Sequence, residues 1–262
     1  MPRANRFHLS NYVWHITHRC HQQAFLLKFA RDRRRWRYWL FEARKRFGLC
    51  VLNYIATSNH IHLLVRDRGK GEISRSMQLI SGRTAQEYNQ RKQRSGAFWQ
   101  DRYHATSVDT EEYLARCMVY IDLNMVRAGV VAHPGDWDIS GYRELLDPRT
   151  RYRIVDLEVL MDLLGIDALS RFQNIYASWV DEGLNAENLQ RDDRWTESVA
   201  VGSKEFVERF QSQSGRVAAY RKLVQDDSGY RLRETASYYI DRFGDEMGTL
   251  SAENVVFPDE TF

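Results

Sequence analysis

The chain has 262 residues, of which 43% are hydrophobic, and this suits one large domain or one domain with a smaller companion. No apolar stretch approaches the roughly 18 residues that span a membrane, and segment 1–10 is polar, so we expect no transmembrane helix, no signal peptide and a cytoplasmic location. Residues 1–150 carry 25 Lys and Arg against 14 Asp and Glu, while the remainder carries 13 against 21, so the net charge of +3 conceals a basic front half that predicts a polyanionic partner.

The spacing of apolar residues in the front half predicts the order strand, helix, strand, strand, helix, strand, helix. The strands are expected over 12–20, 49–56, 60–65 and 105–108, and the helices over 25–47, 73–91 and 110–127. Asp109, three residues before Glu112, predicts a capping box at the start of the last helix. The order resembles an α+β fold in which a ferredoxin-like antiparallel sheet has helices on one face, plus one extra helix.

A polar stretch that contains a proline, at Asp147-Pro148, predicts a domain boundary. We expect one domain over 1–147 and an acidic, mainly helical C-terminal region over 148–262. In that region Leu157, Leu160 and Leu164 recur at near-helical spacing.

The cysteines are Cys20, Cys50 and Cys117. They are odd in number, widely spaced and without a CxxC pair, which is not typical of a disulfide framework or of a zinc cluster. We expect buried, reduced thiols.

The strand over 60–65 contains the pair His60 and His62 on either side of Ile61. Successive side chains of a strand point to opposite faces, so the two imidazoles project together while Ile61 enters the core. This arrangement predicts a two-imidazole chelate for a metal ion. The alternative is a pair of histidines at a sheet surface, and the pattern alone has low specificity.

Tyr120 and Asn124 lie four residues apart in the last predicted helix, so a phenol and an amide would stand side by side, with Arg116 and Arg127 on the same stripe. Two neutral imidazoles and one amide oxygen would leave positions open on a divalent ion for phosphate oxygens and water. A Lewis-acid metal on a phosphodiester, beside a nucleophile, is the arrangement that covalent strand cleavage needs. The alternative for Tyr120 is a boundary residue whose hydroxyl contacts water.

Three segments carry these residues in sequence order. They are Ser58-Asn59-His60-Ile61-His62-Leu63-Leu64-Val65, Gly96-Ala97-Phe98-Trp99-Gln100-Asp101-Arg102-Tyr103 and Tyr120-Ile121-Asp122-Leu123-Asn124-Met125-Val126-Arg127-Ala128-Gly129. Together they resemble the motifs of the REP-associated tyrosine transposases, which are HUH single-tyrosine transposases of the insertion sequence 200-like family. The family usually has Pro where this chain has Met125, and because Met suits a helix interior we expect a straighter helix here.

The resemblance implies a bacterial, nucleoid-associated endonuclease that cuts and rejoins single-stranded DNA in transposition. It implies that His60, His62 and Asn124 bind Mg or Mn and that Tyr120 attacks a DNA phosphate. The product would be a 5′-phosphotyrosine link and a free 3′-hydroxyl, which allows rejoining without ATP. The implied substrates are hairpins of repetitive extragenic palindromes (REP), with a short guide sequence beside the stem.

Other basic and aromatic residues are expected to contact DNA through phosphates or by stacking on unpaired bases. They are Arg19, Trp99, Arg102, Tyr103, Arg116 and Arg127. Each also has a structural alternative, as core or as solvated surface. His15 and His18 lie on opposite faces of the first strand, so both cannot join the metal site, and we interpret each as a structural histidine.

Two other functions remain open at this stage. One is a DNA-binding module or repressor that keeps the fold and the basic surface but does not cleave. The other is a replication-initiator nickase, which shares the HxH and tyrosine chemistry but acts at a replicon origin. Whether the site is built within one chain or across a dimer also stays open.

Overall fold

The computed structural model describes residues 8–185, 190–215, 221–226 and 229–233, and these belong to one compact unit. The strands are β1 (Val13–Arg19), β2 (Cys50–Ala56), β3 (His60–Arg66), β4 (His104–Val108), β5 (Ser198–Gly202), β6 (Lys222–Asp226) and β7 (Gly229–Arg233). The α-helices are α1 (Ala30–Phe47), α2 (Glu72–Lys92), α3 (Glu112–Asp122), α4 (Asn124–Arg127), α5 (Tyr142–Leu146), α6 (Leu157–Leu163), α7 (Leu169–Asn185), α8 (Arg194–Glu197) and α9 (Lys204–Gln213).

The described strands form one sheet in the order β2-β3-β1-β4-β5-β7-β6. The four strands of the front half pair in antiparallel fashion, with Thr17 opposite His62 and Arg19 opposite His60. This confirms the predicted α+β fold with a ferredoxin-like antiparallel sheet. The register also brings His60 and His62 beside β1 residues that face the same side of the sheet.

The two faces of the sheet carry different helices. Helices α1 and α2 pack against each other on one face, where the ring of Trp36 lies 6.2 Å from that of Tyr54. Helix α3 lies on the other face, where Asn53 hydrogen-bonds Asp122. Because Asn53 and Tyr54 are neighbours in β2, they point to opposite faces, so α3 covers the face that holds the two imidazoles.

Two predicted helices differ from the observed ones at their ends. The first begins at Ala30 rather than at 25, because the backbone N–H of Leu27 donates to Ser58 O and draws that segment to the β2–β3 turn. The last is divided into α3 and α4 at Leu123, whose ψ of 3° departs from helical geometry, so the prediction of one continuous helix over 110–127 was wrong. Gly129, at φ +66°, follows its end.

The predicted capping box was also wrong. Glu111, not Asp109, is the residue before α3, and no side chain caps that end. The carboxylate of Asp109 instead accepts hydrogen bonds from the backbone N–H and the hydroxyl of Ser203, 3.0 and 2.7 Å away. Asp109 therefore ties the end of β4 to the start of α9.

The C-terminal region extends the sheet as well as adding helices. Strand β5 pairs parallel to β4, and β7 and β6 follow it in antiparallel pairs. The boundary at 147 stays a prediction, as does the division into domains 1–147 and 148–262. Cys20, Cys50 and Cys117 are buried and free, as expected. No helix in the described ranges is long and apolar enough to cross a membrane.

Candidate active site

A cavity of about 770 Å³ opens on the sheet face covered by α3, at the ends of β1 and β3. Its lining includes most of the residues singled out in the sequence. The lining residues are Thr17, Arg19, Gln23, Asn59, His60, His62, Tyr120, Asn124, Arg127, Ala128, Gln190, Arg191 and Thr196.

The two imidazoles project into this cavity together, as the strand alternation predicted. Their ring centroids are 4.9 Å apart and their planes are nearly perpendicular, at 81°. Asn124, at the start of α4, brings its side-chain nitrogen within 3.0 Å of His62 Nε2. The predicted donor set of two imidazoles and one amide therefore lies in one place, on two elements that are far apart in sequence.

Burial keeps these imidazoles neutral at physiological pH. Desolvation, together with the nearby cations Arg19, Arg191 and Arg127, lowers the pKa of His60 to about 4. Desolvation also lowers the pKa of His62 well below its ordinary value. A neutral imidazole keeps one nitrogen lone pair, which is what a metal ligand must offer.

The chemistry of this donor set fits a divalent cation. Within the described ranges, no group of three or more His, Cys, Asp and Glu side chains is arranged to hold a metal ion. The third protein donor at this place would therefore be the amide of Asn124. The ligands would carry no net charge, so an ion would keep its full positive charge for an anionic substrate.

Tyr120 stands edge-on to the imidazole of His62, with ring centroids 5.8 Å apart at 86°. It is 8% exposed, and burial raises its pKa, while the cations of Arg127 and Arg191 act in the opposite direction. The guanidinium carbon of Arg127 lies 4.2 Å from the centroid of the Tyr120 ring. Arg127 Nη2 also donates to the backbone carbonyl oxygen of Tyr120 at 2.5 Å. Arg127 thus both positions the tyrosine and favours its phenolate form.

The charge of the lining suits an anion. Arg19, Arg127 and Arg191 line the cavity, and none of its described lining residues is Asp or Glu. Arg191 comes from the acidic C-terminal region and is held by the hydroxyl of Thr196 at 3.0 Å. Sequence analysis missed Arg191, because a single basic residue in an acidic, patternless segment carries no motif.

Four of the expected DNA contacts lie outside this cavity. Trp99 lies on the opposite face of the sheet, where it stacks on His18 at 4.2 Å and donates to Ser81 O. Tyr103 contacts the same His18 edge-on at 6.3 Å. Arg102 is exposed in a smaller cavity next to Arg19, and Arg116 pairs with Glu112 on the exposed side of α3. Their roles in DNA binding stay predictions.

Both structural histidines of β1 have both ring nitrogens hydrogen-bonded. His18 contacts Asp101 O at 2.8 Å and the Ser81 hydroxyl at 3.3 Å. His15 contacts Trp195 O at 2.9 Å and His62 Nδ1 at 2.8 Å. The alternation of β1 placed His15 on the same face as Arg19, but only the register of β1 against β3 brings it against His62.

Comparison with known proteins gives a family match over the front half. The family model described as "Transposase IS200 like" matches residues 8–124, which include both imidazoles, Tyr120 and Asn124. No curated protein matches the chain in sequence. Among solved structures, the chain is similar to a REP-associated tyrosine transposase bound to a REP hairpin, at 16% identity and a TM-score of 0.48, over 60% of this chain and 94% of that one. It is also similar to a Deinococcus radiodurans R1 protein assigned as a transposase, at 13% identity and a TM-score of 0.31, over 39% and 83% of the two chains.

Proposed function

We propose that this chain, which matches the IS200-like transposase family over residues 8–124, cuts and rejoins single-stranded DNA through Tyr120 with the help of a divalent metal. The proposed substrates are palindromic hairpins of the REP type. The proposed metal is Mg or Mn, held by His60, His62 and Asn124.

One observation carries the proposal. A tyrosine, two neutral imidazoles, an amide and three arginines line the same cavity, and the tyrosine ring lies 5.8 Å from that of His62. A hairpin-binding protein that does not cleave has no need for a buried tyrosine beside such a donor set. The arginines supply the positive charge that a phosphodiester requires.

Tyr120 is the nucleophile of the proposed reaction. Its Oη loses a proton and forms a bond to the phosphorus of a DNA phosphodiester, and the bond from phosphorus to the 3′ oxygen of the preceding nucleotide breaks. That oxygen takes up a proton and leaves as a free 3′-hydroxyl, while the 5′ end stays on the tyrosine. A 3′-hydroxyl that attacks the phosphotyrosine reverses these steps, so the DNA is rejoined without an external energy source.

The other residues of the cavity position and activate the reacting groups. Arg127, stacked on the Tyr120 ring, favours the phenolate and stands where it can contact the phosphate, and Arg19 lies beside His60 on β1. When bound, the metal supplies Lewis-acid polarisation of the phosphate oxygens. His60, His62 and Asn124 would hold it.

The test is covalent capture of a labelled hairpin oligonucleotide. The full chain is incubated with Mn²⁺ or Mg²⁺ and a REP hairpin that carries single-stranded flanks, and the products are separated under denaturing conditions. We expect a protein–DNA adduct with the wild type and none with Tyr120→Phe or His62→Ala. Tyr113→Phe, on the same helix but outside the cavity, is the matched control and should form the adduct.

Three outcomes would contradict the proposal. Hairpin binding by the wild type without any adduct would favour the non-cleaving DNA-binding module. An adduct formed equally well by Tyr120→Phe would exclude Tyr120 as the nucleophile. An adduct that forms on a replicon origin and on no REP hairpin would favour the replication-initiator nickase.

A further inference from the structure

The imidazole of His62 is held on its Nδ1 side by a chain of hydrogen bonds that ends on a backbone carbonyl. His62 Nδ1 lies 2.8 Å from His15 Nε2, and His15 Nδ1 lies 2.9 Å from Trp195 O. A carbonyl oxygen only accepts, so His15 Nδ1 carries the hydrogen. A neutral imidazole has one N–H, so His15 Nε2 accepts and His62 Nδ1 carries the next hydrogen. His62 Nε2 therefore keeps its lone pair, directed at Asn124.

The imidazole of His60 is held in the same way. Its Nδ1 lies 2.7 Å from Asn59 Oδ1, and Asn59 Nδ2 donates to Gln23 O at 3.2 Å. The Gln23 carbonyl only accepts, which fixes the orientation of the Asn59 amide. The Thr57 hydroxyl, 3.0 Å from the same Nδ1, gives its hydrogen to His60 O and is left to accept. His60 Nδ1 therefore carries the hydrogen, and its Nε2 keeps the lone pair.

We infer that His15 and Asn59 are positioning residues that hold His62 and His60 in the tautomer whose Nε2 is free to bind metal. This inference rests on the proposed function for the identity of the bound group, but the tautomers themselves belong to the metal-free protein. The outer hydrogen-bond partner of a histidine ligand fixes its tautomer and its ring orientation, and loss of such a partner typically weakens metal binding.

The hydrogen bonds that run from His62 through His15 to Trp195 O give the C-terminal region a defined part in the site. Trp195 lies outside the family-matched segment 8–124, in the acidic region. The hydroxyl of Thr106, on β4, donates within 3.2 Å of Trp195 O and within 2.7 Å of Ser198 O, which holds this turn against the sheet. The acidic region thus supplies Trp195 O, the acceptor at the end of these hydrogen bonds, as well as Arg191 in the cavity wall.

A purely structural role for His15 makes different predictions. His18 is the natural comparison, because it is equally part of β1, is buried and has both nitrogens hydrogen-bonded, yet it lies on the opposite face. Loss of either imidazole should cost stability. Only loss of His15 should change the tautomer of His62 and the affinity for metal.

The experiment compares wild type, His15→Leu, His15→Gln and His18→Leu as full chains. Two-bond ¹H–¹⁵N correlation spectra of the metal-free proteins report which ring nitrogen of His62 is protonated, and calorimetric titration with Mn²⁺ alone reports affinity. We expect wild-type His62 to be protonated at Nδ1. In His15→Leu we expect His62 to lose its preference for the Nδ1-protonated tautomer, and we expect Mn²⁺ affinity to fall about 10- to 100-fold. His15→Gln, which keeps one donor and one acceptor, should recover most of both, and His18→Leu should change neither.

Asn59 provides a second test at a position that is partly exposed, so folding is less at risk. Asn59→Leu should weaken Mn²⁺ binding less than His15→Leu does, because the Thr57 hydroxyl still accepts from His60, and Asn59→Asp should restore it. Protonation of wild-type His62 at Nε2, or unchanged Mn²⁺ affinity in a folded His15→Leu, would overturn the inference. Absence of Mn²⁺ binding by the wild type would instead contradict the metal of the proposed function, while the wild-type tautomers would still decide this inference.

Discussion

A buried carboxylate two residues after the proposed nucleophile offers a sharp test of how the C-terminal region supports the site. Asp122, at the end of α3, is 1% exposed and accepts hydrogen bonds from Asn53 Nδ2 on β2 and from the Tyr176 hydroxyl on α7. Burial raises the pKa of Asp122 to about 7, although both hydrogen bonds act to lower it. Tyr176 therefore connects α7 to the helix that carries Tyr120.

Tyr176→Phe removes one of these donors without changing the ring. A hydrogen bond to a charged group contributes about 1.5–3 kcal/mol and one between neutral groups about 0.5–1.5 kcal/mol. In the wild type this hydrogen bond lowers the pKa of Asp122, so its loss raises that pKa above 7. At a pH between the two pKa values, the folded variant therefore holds a proton that the folded wild type has released. The free energy of unfolding should therefore fall by about 1 kcal/mol at pH 5.5 and by about 2–3 kcal/mol at pH 8.5.

Urea unfolding at the two pH values measures this difference. Tyr142→Phe is the matched control, because Tyr142 is in the same aromatic cluster, 5.8 Å from Tyr176, but its hydroxyl makes only a long 3.4 Å contact with His133 Nε2. We expect this control to lose less than about 1 kcal/mol, with no increase between the two pH values. An effect of Tyr176→Phe that is equal at both pH values, or larger at pH 5.5, would refute the assignment of Asp122 as the acceptor that titrates.

Further predictions concern acid stability and two tertiary contacts. Burial lowers the pKa of four imidazoles, so below pH 6.5 the unfolded chain binds protons that the folded chain does not. The free energy of unfolding should therefore fall from pH 6.5 to pH 5, by up to about 1.4 kcal/mol per pH unit for each imidazole. These are His15 and His18, with pKa values of about 3 and 4, His60 at about 4, and His62. A flat stability profile over that range, in urea unfolding, would contradict their burial. Asp109→Ala removes the acceptor for Ser203 and should lower the free energy of unfolding by about 1–3 kcal/mol in the same assay. An unchanged free energy of unfolding would mean that water replaces this acceptor at no cost. Gly141→Ala places a Cβ in steric conflict with Asn53 Oδ1, so Asn53 must shift away from Asp122 at a cost of about 1–3 kcal/mol. A thermal midpoint equal to that of the wild type would show that the backbone at residue 141 moves instead.

Local periodicity was sufficient for much of the fold. The alternation around Ile61 depends only on the geometry of one strand, so the joint projection of His60 and His62 followed from the sequence. The helical spacing of Tyr120 and Asn124 likewise held, although α4 begins after a break that residue types did not indicate. The three strands β5, β6 and β7 were not predicted, because the region after 147 was interpreted as mainly helical.

The candidate site likewise depends partly on local sequence pattern and partly on tertiary contacts. The sequence by itself determined which residue types are present and which face of a strand or helix each one occupies, because those depend on backbone geometry over a few residues. Only the tertiary structure decided that α3 covers the imidazole face, that His15 contacts His62, that Trp99 lies on the other side of the sheet and that Arg191 and Trp195 reach the cavity. Those contacts join residues separated by tens of positions, and they depend on strand register and helix packing, which no local pattern encodes.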